Sequence, residues 1–239
     1  MQLNGMTAIV TGGTDGIGRE IAVAMRSRGA QVIVVGRNPD RLEASRAAGF
    51  ETIAADLSTI GGCDAVVAAM ADRPIDILVN NAGMGSNFDI NQPIDMGVVD
   101  QAIFLNLNAP IRLIEALLPG MRARPAAMIV NVTSGLAIAP AAKSPVYCAT
   151  KAGLKSFTQA LRAQLAGSSV HVLEALPPVV ETRMTAENLH KKMPAAECAR
   201  QIIVAMEQNR AEANVGMTSL LAAVHNLAPW LARRIMLRY

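Results

Sequence analysis

The run Tyr147-Cys148-Ala149-Thr150-Lys151 sets a phenol and an ammonium four residues apart, a spacing that stacks them on one face of a helix. An ordinary tyrosine hydroxyl, with a pKa of about 10, is a poor base at neutral pH. A neighbouring ammonium favours the phenolate and lowers that value by roughly 1–3 units. The hydroxyl can then exchange a proton with an alcohol or a carbonyl oxygen. Alone, a Y-x-x-x-K pair is common by chance and more often a surface pair. It gains weight here because the chain has two tyrosines and the other, Tyr239, is the last residue. Thirteen residues upstream stands Ser134, in Asn131-Val132-Thr133-Ser134-Gly135. At the C-terminal end of a strand its hydroxyl would face a ligand crevice and could bond a substrate oxygen as charge develops. The plainer reading is a serine capping a turn. Asn106 lies inside an otherwise apolar helical stretch, where asparagine is unfavourable and a specific task is expected. Nearby Asn108 shows that such asparagines can also be structural.

A second cluster opens the chain. Thr11-Gly12-Gly13-Thr14-Asp15-Gly16-Ile17-Gly18 follows an apolar run and precedes a helical one. Gly12 lets the chain turn, Gly16 lets backbone approach a pyrophosphate, and Gly18 permits close packing of helix on strand. The helix N-terminus then offers free N–H groups to phosphate oxygens. The spacing is G-x-x-x-G-x-G rather than the general G-x-G-x-x-G, and a glycine turn serving packing alone is the competing reading. The end of the second strand selects the dinucleotide. An acidic residue there would bind a ribose 2′-hydroxyl; this chain has Arg37, suited to a 2′-phosphate or, on the plain reading, to solvent. NADP(H) is therefore expected, with NAD(H) as the alternative because Asp15 could repel the phosphate.

These residues need a frame. Strands are expected at 6–11, 31–35, 52–55, 75–80, 128–132 and 170–175, and helices at 16–28, 38–48, 61–71, 98–118 and 145–166. The long helix is expected to stop at Pro119-Gly120. Continuous apolar strands alternating with helices predict a doubly wound parallel sheet of about seven strands, a Rossmann-type α/β fold. The 239 residues suit one domain, 1–239, with 183–239 as a substrate lid and a helical region. Apolar residues make up 51% and aromatics only 3%, so Ala, Val, Ile, Leu and Met must build the core.

The net charge, 22 − 19 = +3, is scattered without a basic run, which argues against nucleic acid. Cys63, Cys148 and Cys198 show no C-x-x-C spacing and suit reduced thiols in a cytoplasm. His171, His190 and His225 are too dispersed to suggest a metal. The early apolar run ends in the glycine loop, so no signal peptide is expected, and the apolar stretch 220–232 is broken by His225, Asn226 and Pro229. The basic tail 230–239 could lie on a membrane surface, but its shortness favours packing over the substrate pocket or a subunit interface.

Taken together, the glycine loop, Asn80-Asn81-Ala82-Gly83, Asn106-Leu107, Ser134 and Tyr147-x-x-x-Lys151 resemble the short-chain dehydrogenase/reductase family in order and spacing. The resemblance spans about residues 3–185, and 106–110 with 145–151 look like a bacterial subgroup of oxidoreductases of undefined substrate. It implies that Tyr147 is the general acid in carbonyl reduction and the base in alcohol oxidation. Lys151 would lower its pKa and bond the nicotinamide ribose, Ser134 would polarise the carbonyl, and Asn106 would hold a water in a proton relay. Asp56-Leu57 would flank adenine, and Asn80, Ala82 and Gly83 would line the cofactor groove. The family usually has Pro-Gly and then a threonine near the carboxamide after the sixth strand. This chain has Pro177-Pro178-Val179-Val180-Glu181-Thr182. Pro178 fixes φ and removes an N–H where glycine is expected, while Val180 and Thr182 still match.

The resemblance also implies a lid over 183–195, whose polar groups are few beyond Glu187, Asn188, His190, Lys191 and Lys192. It implies a homodimer or homotetramer paired through the helices at 98–118 and 145–166, with Leu113, Leu117, Ala160 and Leu161 among their apolar residues. The substrate would be a small carbonyl compound or alcohol. The competing function is a non-catalytic NADP(H) sensor of the same fold, which loss of the tyrosine or lysine would favour; both are present.

Overall fold

The computed structural model describes residues 1–71, 73–187 and 191–238. Seven parallel strands form one sheet in the order β3-β2-β1-β4-β5-β6-β7. They are β1 (Thr7–Thr11), β2 (Gln31–Gly36), β3 (Glu51–Ala54), β4 (Ile77–Asn80), β5 (Ala127–Val132), β6 (Val170–Leu176) and β7 (Glu212–Asn214). The helices are α1 (Gly16–Arg26), α2 (Pro39–Ala47), α3 (Ile60–Ala69), α4 (Met96–Ile103), α5 (Ala109–Arg122), α6 (Pro145–Gln164), α7 (Ala195–Glu207), α8 (Met217–Leu227) and α9 (Pro229–Met236).

Two apolar cores, one on each sheet face, account for the unbroken apolar strands. Along β1, Ala8 and Val10 face one core, with Ile21 and Met25 of α1 and Ile202 and Met206 of α7; Ile9 faces the other, with Leu113 and Leu117 of α5. The chain runs outward from β1 through β2 to β3, then returns to place β4 on the other side of β1. That reversal opens a crevice at the carboxyl ends of β1 and β4. Thr11 stitches the two sides together: its Oγ1 donates to the Val79 carbonyl at 3.1 Å and accepts from the N–H groups of Asn81 and Ala82 at 2.9 and 3.0 Å.

Three departures from the sequence expectations have physical causes. The helix expected at 98–118 is α4, a π turn at Phe104–Asn108, and α5, rather than one regular helix. Pro110 has no N–H for the carbonyl of Asn106, so the regular ladder is interrupted at that point. Pro119-Gly120 does not stop the helix, which runs on to Arg122. Both Pro119 and Glu115, whose carbonyl loses its partner, are solvent-exposed, so water can satisfy the carbonyl. Finally, β7 has no clear apolar signal because it is three residues long and reads Glu-Ala-Asn.

Leu113, Leu117 and Leu161 are buried within the chain's own core and so are unavailable for a subunit contact; of the four residues expected there, only Ala160 faces solvent.

Candidate active site

The crevice has a volume of about 810 Å³, within the range of small-molecule sites. Gly12, Thr14, Asp15, Gly16, Ile17, Arg37, Asp56 and Leu57 line one end. Ala82, Gly83, Ser134, Tyr147, Lys151, Pro177, Val180 and Thr182 line the remainder. Three expected residues, Gly18, Asn80 and Asn106, are not on its wall.

Gly18 acts from behind: a Cβ there would lie 2.3 Å from Asn81 Nδ2 and 2.4 Å from the Gly12 carbonyl oxygen, so only glycine lets α1 start this close to β4. Gly12, at φ +64°, makes the turn that frees the loop from β1. Asp15 caps α1 by accepting from the Gly16 N–H at 2.8 Å. Its other carboxylate oxygen accepts from Arg41 at 3.1 Å and lies 3.9 Å from Arg183. The charge expected to oppose a phosphate is therefore already countered. Arg37 pairs with Asp56 at 3.1 Å rather than pointing free into solvent. Burial works against the ionised Asp56, but bonds from the Ser58 N–H and hydroxyl, and then from Arg37, hold its carboxyl below the ordinary value. Three guanidiniums thus face two carboxylates at this end, 3 − 2 = +1. Sequence reasoning missed Arg41 and Arg183. Arg41 stands in the first turn of α2, four residues after Arg37, a nearness that could have flagged it; nothing local in the sequence brings Arg183 to Asp15.

The other end is built differently. β5 delivers Ser134 and α6 delivers Tyr147 and Lys151. Ser134 Oγ accepts from the Leu136 N–H at 3.1 Å, capping a short 3₁₀ turn, and shares the crevice wall with Tyr147. Lys151 is only 4% exposed, donates to the Val132 carbonyl at 2.8 Å, and lies 5.8 Å from the centre of the Tyr147 ring. Burial pushes the Tyr147 hydroxyl up to about 12, with the Ser134 hydroxyl pulling the other way. Burial also brings Lys151 down to about 8. In the protein alone, desolvation outweighs the expected lowering of the tyrosine by the lysine, because a buried site disfavours both charged forms.

Asn106 is fully buried and its side chain is committed. Its Oδ1 accepts from the Met84 N–H at 2.9 Å, and Nδ2 donates to the Met84 carbonyl at 2.9 Å and to Thr150 Oγ1 at 3.1 Å. It therefore ties the segment after β4 to α6, and this side chain has no free group aimed at the crevice. Asn80 likewise turns inward and donates to Asn131 Oδ1 at 2.9 Å, whose Nδ2 donates to Thr158 at 2.9 Å. A second buried chain backs Ser134: Thr133 donates to Glu174 at 2.8 Å, and Glu174 pairs with Lys155 at 3.2 Å.

The loop after β6 is anchored on both sides of Pro178. The Gly135 N–H donates to the Pro177 carbonyl at 2.9 Å, and Val180 bridges to Met193. Thr182 then packs on the glycine loop, its Cγ2 3.1 Å from where a Gly16 side chain would begin. Beyond it, Arg183, Met184 and Thr185 line the crevice, but Glu187, Lys191 and Lys192 do not. Asn188 and His190, together with Tyr239, lie outside the described residues. The tail meets its expectation in part. In α8, Thr218 and Leu221 pack against Gly135 beside the site, but α9 buries only Ala232 fully.

The model of the short chain dehydrogenase family matches residues 6–193. The oxidoreductase DltE of Bacillus subtilis (strain 168) is 38% identical over 197 residues, 80% of this chain and 78% of that protein. A short-chain dehydrogenase from Burkholderia cenocepacia, solved in complex with NADP, has the same fold at a TM-score of 0.90 and 24% identity, covering 99% of both chains. Another from Sphingobium yanoikuyae, in complex with NADPH, is 27% identical at a TM-score of 0.84, over 95% of this chain and 94% of that one. The chain belongs to the short-chain dehydrogenase/reductase family and is an NAD(P)-dependent oxidoreductase.

Proposed function

We propose that the protein interconverts a carbonyl and a secondary alcohol with NADP(H) as its preferred dinucleotide, and with Tyr147 as the proton-transferring group. The observation that carries this reading is the placement of Tyr147 at the crevice wall together with Ser134, backed by buried Lys151. Gly12, Thr14, Gly16 and Ile17 would hold the pyrophosphate, Asp56 and Leu57 the adenine, and Ala82, Gly83, Pro177, Val180 and Thr182 the nicotinamide half. When bound, the nicotinamide supplies or accepts the hydride. Arg37 and Arg41 suit a 2′-phosphate, and the Sphingobium yanoikuyae neighbour solved with NADPH supports that choice. NAD(H) is the weaker alternative.

At neutral pH the raised pKa keeps Tyr147 protonated, ready to donate to a carbonyl oxygen that Ser134 also bonds. Lys151 places a cation 5.8 Å from the centre of the ring whose oxygen would become negative. Asn106 and Gly83 act as spacers that set this end against the segment after β4, so Asn106 is a positioning residue. The charged crevice residues other than Lys151 are Asp15, Arg37, Arg41, Asp56 and Arg183, which gather at the dinucleotide-phosphate end. The substrate end offers Met84, Leu105, Pro178 and Met184, which suits an uncharged, apolar ketone.

The three buried, unpaired thiols support a reducing compartment such as the cytoplasm. A homodimer or homotetramer through α4, α5 and α6 would rest on outward residues such as Val98, Ile103 and Ala160. The test of function is a screen of ketones, aldehydes and charged keto acids by loss of NADPH absorbance. Turnover of apolar ketones is expected; tight NADPH binding with no reduction of any carbonyl would favour the sensor reading.

A further inference from the structure

The last two helices present a surface that neither the core nor the crevice uses. On α8, Met217, Leu220, Ala223 and Leu227 recur at steps of three, three and four residues, a single helical face, and all four are solvent-exposed. Leu227 is 89% exposed and Met217 69%. α9, joined to α8 through Ala228 and in contact with it, exposes Trp230 at 65%, Ile235 at 53% and Leu231, followed by exposed Leu237. Arg233 and Arg234 stand in the last turn of α9, and Arg238 follows just beyond its C-cap Leu237. Among the described residues none of these three arginines has an acidic partner within salt-bridge distance. The sequence explains why: the 27 residues from Ala213 to Tyr239 contain no Asp or Glu.

Exposed apolar area of this kind marks an interaction surface. Its charge selects the partner. A two-fold contact between copies would bring three like charges on each side towards one another without a local acid, an unfavourable arrangement. An anionic lipid surface meets both features at once. Leucine, isoleucine and tryptophan enter the acyl boundary while arginine side chains extend to the phosphates. We propose that the α8–α9 hairpin docks the enzyme on anionic membranes. The hairpin lies beside the catalytic end, since Thr218 and Leu221 pack against Gly135, so docking would hold the substrate end of the crevice near the bilayer.

Trp230 is the chain's one tryptophan and therefore a built-in reporter. The full chain should sediment with mixed phosphatidylcholine–phosphatidylglycerol vesicles, with Trp230 emission moving to shorter wavelength, and should sediment poorly with phosphatidylcholine alone. Raised salt should release it. The triple variant Arg233→Gln, Arg234→Gln, Arg238→Gln should lose on the order of 100-fold in affinity for the mixed vesicles, since each basic group near such a surface contributes roughly fivefold. Leu227→Ser with Leu231→Ser should weaken binding while retaining NADPH binding as a check on folding. Folded protein left in the supernatant with unmoved Trp230 emission would overturn the proposal. Equal binding of the arginine variant would do the same. So would a dimer in light scattering that the Leu→Ser pair dissolves, with no vesicle binding, which would give the face to a second copy.

Discussion

The two ends of the crevice solve opposite electrostatic problems. At the phosphate end, Arg37, Arg41, Asp56 and Asp15 keep between 36% and 59% of their side chains exposed and form pairs that a ligand can rearrange. At the catalytic end, Lys151, Ser134 and Asn106 are at most 9% exposed, and buried partners fix them. Exposed pairs contribute little stability and exchange readily. Buried polar groups hold one geometry because leaving a partner unmade costs about 1–3 kcal/mol. On the proposed function, the exposed end would select among dinucleotides and the buried end would hold the reacting oxygen at a fixed position.

The largest effect should come from the buried end. Tyr147→Phe is expected to reduce turnover by a factor on the order of 10²–10⁴ while sparing NADPH affinity, because one hydroxyl is removed from the crevice wall. Steady-state rates beside a fluorescence titration check it, and full activity would break the comparison at its centre. Lys151→Met should cost a comparable rate and also weaken NADPH binding, since this cation would contact the ribose as well. A rate loss with untouched cofactor affinity would confine Lys151 to the tyrosine.

At the exposed end, Arg37→Asp should lower NADPH affinity by roughly 10- to 100-fold, the scale of one charge-assisted hydrogen bond. NADH affinity should hold or rise, and kcat on a ketone should change little. Titrating both dinucleotides decides the matter; unchanged NADPH affinity would move the 2′-phosphate site to Arg41 and Arg183.

The smallest effect is a pH dependence. Lys151 titrates at about 8 in the folded protein, against an ordinary 10.5, so its cation is present at pH 7 and is lost as pH rises through 8. In the free enzyme, kcat/KM for carbonyl reduction should fall severalfold between about pH 7 and pH 9. Stability moves the other way. Between these two values the unfolded chain still binds the proton that the folded one has released, so this group adds stability as pH rises through that window. A pH–rate profile beside thermal melts would separate the two senses, and a flat alkaline limb would show that the bound cofactor resets the lysine.

Much of this was legible in the sequence because its signals are local. An apolar run, a glycine turn and a helix in succession specify strand, loop and dipole together, so β1, α1 and the loop between them followed directly. Tyr147 and Lys151 were readable for the same reason, four residues apart on one helix. Asn106 and Asn80 were recognisable as residues with a task, but the partners that hold their side chains were not readable. Each turns its side chain into the protein, to Met84 and Thr150 or to Asn131. Arg183 and Glu174 could not be placed at all, because their partners Asp15 and Thr133 lie 168 and 41 residues away.

The sequence by itself determined the alternation of strand and helix, the order of chemical groups along the chain, and the absence of acids after Glu212. Periodicity and turn chemistry are properties of neighbouring residues and survive without knowledge of the fold. Only the tertiary structure decided which charges meet across the crevice, and that burial rather than the adjacent lysine governs the tyrosine. It also decided that the apolar face of the last helices stays uncovered. Solvation at a group depends on every atom packed around it, and those atoms come from parts of the chain that only folding brings together.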